Sequence, residues 1–174
     1  MTGRERQLLR EIPDILNYES LLYIGMSARE NGIIRDQMIN LFESRNYKIQ
    51  VIEIWPPNVE SLRPKFPNIL LGDIRDLHKM EIGTYDIAMF WHGPEHLEKH
   101  EIPDVLWKLE ARARKYAVVA CPWGRYDQIA VGGNPHEIHR CRVYAVDFER
   151  LGWKTSVIGQ KDVRGSNLMA WIKK

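Results

Sequence analysis

Near the start of the chain, apolar residues recur at helical spacing. Leu8, Leu9, Ile12, Ile15 and Leu16 share one stripe, which predicts a leading amphipathic helix within residues 1–19. The run SLLYIG at 20–25 then reads as a short buried strand stopped by glycine. From Gly32, Ile34, Met38, Leu41 and Phe42 return to helical spacing, with Asn46 as the stop. KIQVIEIW at 48–55 is a β-branched run ending at Pro56-Pro57, and NVESLRPKF is a short helix limited by Pro64. PNILLGD and YDIAMFW supply a third and a fourth strand. In IPDVLWKLEARARK, Val105, Leu106, Leu109 and Ala113 lie on one face, so this segment is read as a helix with ARARK as its solvated, dipole-compatible end. It feeds YAVVACPWG, a fifth apolar strand. The irregular segment 124–141 follows, then a helix in VYAVDFERLG stopped by Gly152. WKTSVIGQ and SNLMAWIKK close the chain as two strands joined by a turn-rich KDVRGS.

Strands separated by helices require crossover connections and hence a parallel sheet. The last two strands, with no helix between them, form an antiparallel, hairpin-like finish at the sheet edge. The expected fold is therefore α/β: a doubly wound, mostly parallel seven-stranded sheet with helices on both faces and an antiparallel last strand. With 174 residues, no linker and no repeat, one domain spanning 1–174 is expected.

Composition narrows the partners. Hydrophobic residues at 44% and charged residues at 28% are those of a folded, ordered chain. A net charge of +2 lacks the basic excess of a phosphate-backbone binder, so nucleic acid is not favoured. The N-terminal stretch has scattered charges and no signal-like apolar run, and no run of apolar residues is long enough to span a bilayer. Cys121 and Cys141 have no framework spacing and read as free thiols of a cytoplasmic protein.

In open α/β sheets, ligands sit beyond the carboxyl ends of the strands, so the residues that follow each strand are the candidates. Gly25 opens the loop after the first strand and lets the backbone approach a ligand. Glu53, the acid in VIEIW at the end of the second, is placed to accept hydrogen bonds from two ribose hydroxyls. Asp73, after the third, can accept from an exocyclic amine with Ile74 against the ring, or can cap the next turn. Trp91 and His92 follow the fourth. His92-x-x-Glu95-His96 matches a zinc-peptidase pattern, but Gly93-Pro94 breaks the helical face that such a site needs. His136, His139, Cys121 and Cys141 are irregularly spaced, so no metal is expected. Glu137 and His139, in a glycine-bounded loop over the same edge, either touch an acceptor or tie the loop down. Trp123 reads as core or rim.

The succession LLYIG, VIEI, ILLGDI, YDIAMFWHGPEHL and GGNPHEIHRCRVYAVDFERLGW resembles the class I S-adenosylmethionine-dependent methyltransferases over roughly residues 18–174. An Glu-His-Leu commonly follows the fourth strand in that family. The resemblance implies S-adenosylmethionine as cofactor and transfer of its methyl to an acceptor, with a small molecule as the preferred acceptor class. It places Gly25, Met26 and Ser27 under the methionine part, Glu53 and Ile54 at the ribose, Asp73 and Ile74 at the adenine, and Trp91 beside the transfer site. His92 is the candidate general base. In the first loop Tyr23 stands where an acid is usual, and Ser27 and Arg29 stand where glycines are usual. Those departures define the alternative, a methyltransferase-like scaffold or binding protein without cofactor. A nicotinamide-dependent enzyme would need a glycine triplet that is absent.

Overall fold

The computed structural model describes residues 2–28 and 38–174. Its centre is a seven-stranded sheet in the order β3-β2-β1-β4-β5-β7-β6. The strands are β1 (Ser20–Ile24), β2 (Lys48–Glu53), β3 (Leu70–Leu71), β4 (Tyr85–Trp91), β5 (Ala113–Cys121), β6 (Lys154–Ile158) and β7 (Asn167–Lys173). The helices are α1 (Gly3–Glu11), α2 (Met38–Glu43), α3 (Pro56–Leu62), α4 (Ile102–Arg112) and α5 (Ala145–Glu149). The first five strands pair in parallel, while β7 runs antiparallel to both β5 and β6.

The period-two alternation of the strands divides the core into two faces. Leu21 and Tyr23 of β1, Val51, Met89, Val118 and Met169 pack with α1, α2 and α3. Leu22 and Ile24, the alternate residues of β1, join Ile52, Ala88, Val119 and Ala170 against α4 and α5. The expected doubly wound arrangement with an antiparallel strand is present.

Four expectations are corrected in detail. The closing strand β7 does not finish the sheet; it inserts between β5 and β6, leaving β6 at the edge. The apolar side chains of NLMAW are all buried, as an internal strand requires, whereas every residue of β6 is exposed or only partly buried. The fourth helix ends at Arg112, so Ala113 and the rest of ARARK open β5. The arginines there are structural: Arg112 donates to the carbonyls of Ile82, Leu77 and Met80, and Arg114 to Thr84 and Asp86. The helix expected after Pro56-Pro57 begins on the prolines themselves, where the missing N–H groups cost nothing. The third strand contracts to Leu70–Leu71. Of the helix expected from Gly32, the described part is Met38–Glu43, with Asn46 at φ 57° beyond it; Gly32 and Ile34 lie outside the described residues, as does Arg29.

Candidate functional site

Strand order reverses between β1 and β4, and a cavity of about 740 Å³ opens at this switch point. Gly25, Ser27, Glu53, Ile54, Asp73, Ile74, Trp91 and His92 all line it. Met26 does not: its side chain is fully buried in the core beneath. The N–H of Gly25 donates to Ile52 O, and its φ of 78° suits glycine. The turn brings β1 close to Phe90, 3.4 Å from where a Cβ would sit.

Glu53 is 3% exposed. Its Oε1 accepts from the backbone N–H of Trp55 at 2.9 Å and from Asn58 Nδ2 at 3.2 Å. Burial pushes its pKa up to about 7, opposed by those two hydrogen bonds and reinforced by the charge of Glu137. Asn58 was missed by the sequence reading. It occupies the third position of a helix begun at Pro56, and that register turns it back onto the strand end. Asp73 takes the capping role anticipated for it, accepting from Arg75 N at the start of the turn at 74–79, and its other oxygen holds the Arg75 guanidinium at 2.7 Å.

The segment 122–143 crosses above the strand ends. Glu137 accepts from Ser27 Oγ at 2.8 Å, while its backbone carbonyl accepts from Gln128 Nε2. His139 Nδ1 meets Tyr126 O at 2.5 Å. Both side chains therefore tie this loop down, and both also line the cavity. Trp123 packs partly buried against the core and is not among the lining residues.

His92 leaves β4 with φ 52° and donates N–H to Ala120 O. Its Nδ1 lies 3.3 Å from Oε1 of Glu95, a carboxylate only 2% exposed. Burial pushes the Glu95 pKa up, but the His92 hydrogen bond and the charges of His96 and His92 hold it below its ordinary value. An ionised carboxylate only accepts, so the Nδ1–H of His92 is the donor to Glu95 Oε1. Among the described residues, the buried side-chain polar atoms without a hydrogen-bond partner are Trp91 Nε1, His92 Nε2, Glu95 Oε2 and Asn167 Oδ1. All four residues line the same cavity. Orphaned buried polar atoms are costly, and a polar ligand in this cavity could satisfy them.

The two histidine groups that the sequence kept apart are half-merged in space. Glu95, His96 and His139 each offer a ligand-capable atom within 4.8 Å of the others. Cys121 and Cys141 are free, and His136 instead packs near Trp55. No helix among the described residues is long and apolar enough to cross a membrane.

No protein-family model matches the sequence, and no curated protein matches it. Solved structures do. An S-adenosylmethionine-dependent methyltransferase from Archaeoglobus fulgidus matches at 16% identity, 98% of this chain, 93% of that one and a TM-score of 0.65. The N-methyltransferase NodS from Bradyrhizobium japonicum, in complex with S-adenosylhomocysteine, matches at 14% identity, 98% and 85% coverage and 0.63. A Rhodobacter sphaeroides protein carrying a Zn-dependent alcohol dehydrogenase designation matches at 12%, 99% and 90% coverage and 0.68. At such identities the likeness fixes the fold, which is the class I methyltransferase architecture, and leaves the reaction to the residues of the site.

Proposed function

We propose that the chain is an S-adenosylmethionine-dependent methyltransferase acting on a small molecule that enters the cavity between the strand ends and the 122–143 segment. The observation that carries this reading is Glu53. It is a buried carboxylate with one oxygen held in place by Trp55 N and Asn58, and it lines the cavity at the sheet's switch point. Oε2 has no hydrogen-bond partner among the described residues, which suits a ribose diol. A cavity of about 740 Å³ is large enough for a nucleoside-sized cofactor and a small acceptor together.

The residues present fit the cofactor. Glu53 would take the ribose; Asp73, which keeps lone pairs beyond those used by Arg75, and Ile74 would take the adenine. Gly25 and Ser27 would lie along the amino-acid part, with Ile54 and Trp91 as walls. When bound, the cofactor supplies an activated sulfonium methyl. The chain's own task is to align an acceptor and exclude water. His92 Nε2 would remove the acceptor's proton, with Glu95 orienting the ring through Nδ1.

Little favours the cofactor-free scaffold. Tyr23 is a core side chain and Ser27 is bonded to Glu137, while Arg29 lies outside the described residues. Calorimetry with S-adenosylhomocysteine should give one site with micromolar affinity, and absence of binding at millimolar ligand would sink the reading. His92→Asn tests the base, because Asn tolerates a positive φ. On an acceptor found by screening hydroxyl- and amine-bearing small molecules, turnover should fall about a hundredfold, with S-adenosylhomocysteine affinity unchanged. Equal turnover would remove His92 from the mechanism.

A further inference from the structure

The geometry points to a divalent metal site of the zinc class formed by Glu95, His96 and His139, with its open coordination position facing the cavity. The argument begins with the tautomers. His96 Nδ1 lies 3.2 Å from Ile138 O, and His139 Nδ1 lies 2.5 Å from Tyr126 O. A carbonyl only accepts, so each ring donates from Nδ1, which leaves Nε2 as the atom that can ligate a metal. This is the backbone-carbonyl orientation that fixes metal-binding histidines elsewhere. His96 Nε2 lies 3.9 Å from Glu95 Oε1. The cluster therefore gathers one ligand-capable atom from each of two imidazoles and a buried carboxylate.

A second, independent observation is the state of Glu95. It is 2% exposed and its Oε2 has no hydrogen-bond partner. A cation held between this carboxylate and the two imidazoles would satisfy the unpartnered oxygen. Two imidazoles and one carboxylate suit zinc-class ions better than magnesium or calcium, which prefer all-oxygen shells. Donor atoms around a tetrahedral zinc lie about 3.3 Å apart, so the three, all within 4.8 Å of one another, would draw in modestly. The backbone joins the two halves of the site: Arg140 N and Cys141 N both donate to Glu95 O. His92, bonded to Glu95 Oε1, stands behind the carboxylate as its orienting partner. Because three protein ligands leave a coordination position open, an oxygen-bearing molecule in the cavity could complete the shell.

The test uses the whole protein, dialysed against chelator and then titrated with Zn²⁺ or Co²⁺. Elemental analysis should find about one zinc per chain, and Co²⁺ should give the intense visible absorption of a four- or five-coordinate nitrogen–oxygen site. His139→Ala, a change on the surface segment, should weaken Zn²⁺ binding about a hundredfold, and Glu95→Gln should do likewise. Cys121→Ser/Cys141→Ser should bind zinc as the parent does, which separates this site from adventitious thiol binding. Absence of stoichiometric metal, with the cluster held by a proton alone, overturns the site, as does binding that survives His139→Ala. Binding of S-adenosylhomocysteine depends on other residues, so that failure would leave the methyltransferase reading standing.

Discussion

Glu53 is where burial, hydrogen bonding and charge meet most tightly. Burial pushes its pKa from 4.5 to about 7, so between these values the folded chain holds a proton that the unfolded chain has lost. Folded stability therefore declines as pH rises through that window, and the full cost is present above 7. Glu53→Gln removes the cost, and the ligand-free variant should be more stable than the parent above neutral pH by up to about 3 kcal/mol, with no advantage below pH 4.5. The ligand reverses the balance, because ribose hydroxyls donate to the ionised form. Affinity for S-adenosylhomocysteine should rise as pH passes through about 7, with a proton released on binding on the acid side. Calorimetry in two buffers of different ionisation enthalpy reads that proton directly. The Gln variant should lose both the pH dependence and about ten- to a hundredfold in affinity; an affinity flat in pH would show that Glu53 does not hold the ligand as a carboxylate.

At the scale of elements, the junction between α4 and β5 shows how a charged pattern can mislead. Arg112 closes the helix by donating to Ile82 O at 2.6 Å, Leu77 O at 2.8 Å and Met80 O at 3.0 Å, pinning the connection that precedes β4. Arg112→Ala leaves three partly buried carbonyls short of a donor and should cost about 2–4 kcal/mol in a urea titration. Arg112→Lys should recover only part of that, because one ammonium cannot serve the spread of a planar guanidinium. A loss under about 0.5 kcal/mol would mean that water replaces the arginine. Periodicity made the core elements legible, since β1, β2, β4, β5 and α4 each carry long apolar patterns. It could not reveal that ARARK divides between helix and strand, because Ala113 fits the apolar face of either. The place of β7 was also hidden: an antiparallel strand is equally consistent with an edge or an insertion, and long-range pairing to β5 decides it. In the site, residues directly after strands were legible from topology alone. Asn58 and the His96–His139 pair were not, because their meeting depends on a helix register and on the path of an irregular segment.

The whole molecule makes one cavity from pieces far apart in sequence. The turn after β1, the end of β2, Asp73 and Ile74, the exit of β4 and the segment 126–139 converge only because the strand order reverses between β1 and β4. Ser27 and Glu137, 110 residues apart, join the floor of the cavity to its roof. The opposite end of the sheet is closed by a separate network, in which Asp86 accepts from Ser20 Oγ and from Arg114. A ligand spanning floor and roof should suppress opening on both sides together, since local opening depends on the contacts each segment makes. Hydrogen exchange with saturating S-adenosylhomocysteine should therefore slow amides at 24–28, 53–58, 72–75 and 126–139 as one group. Amides around Ser20, Asp86 and Arg114 should be affected only as far as global stability changes. Glu137→Ala cuts the strap and reaches Glu53 only through the loss of its charge, so the ligand-free variant should exchange faster across 126–139 while 53–58 stays as slow as in the parent. Protection confined to the 126–139 segment, with 53–58 unaltered, would place the ligand against the roof and away from Glu53, and the cofactor position argued from the strand ends would have to be abandoned.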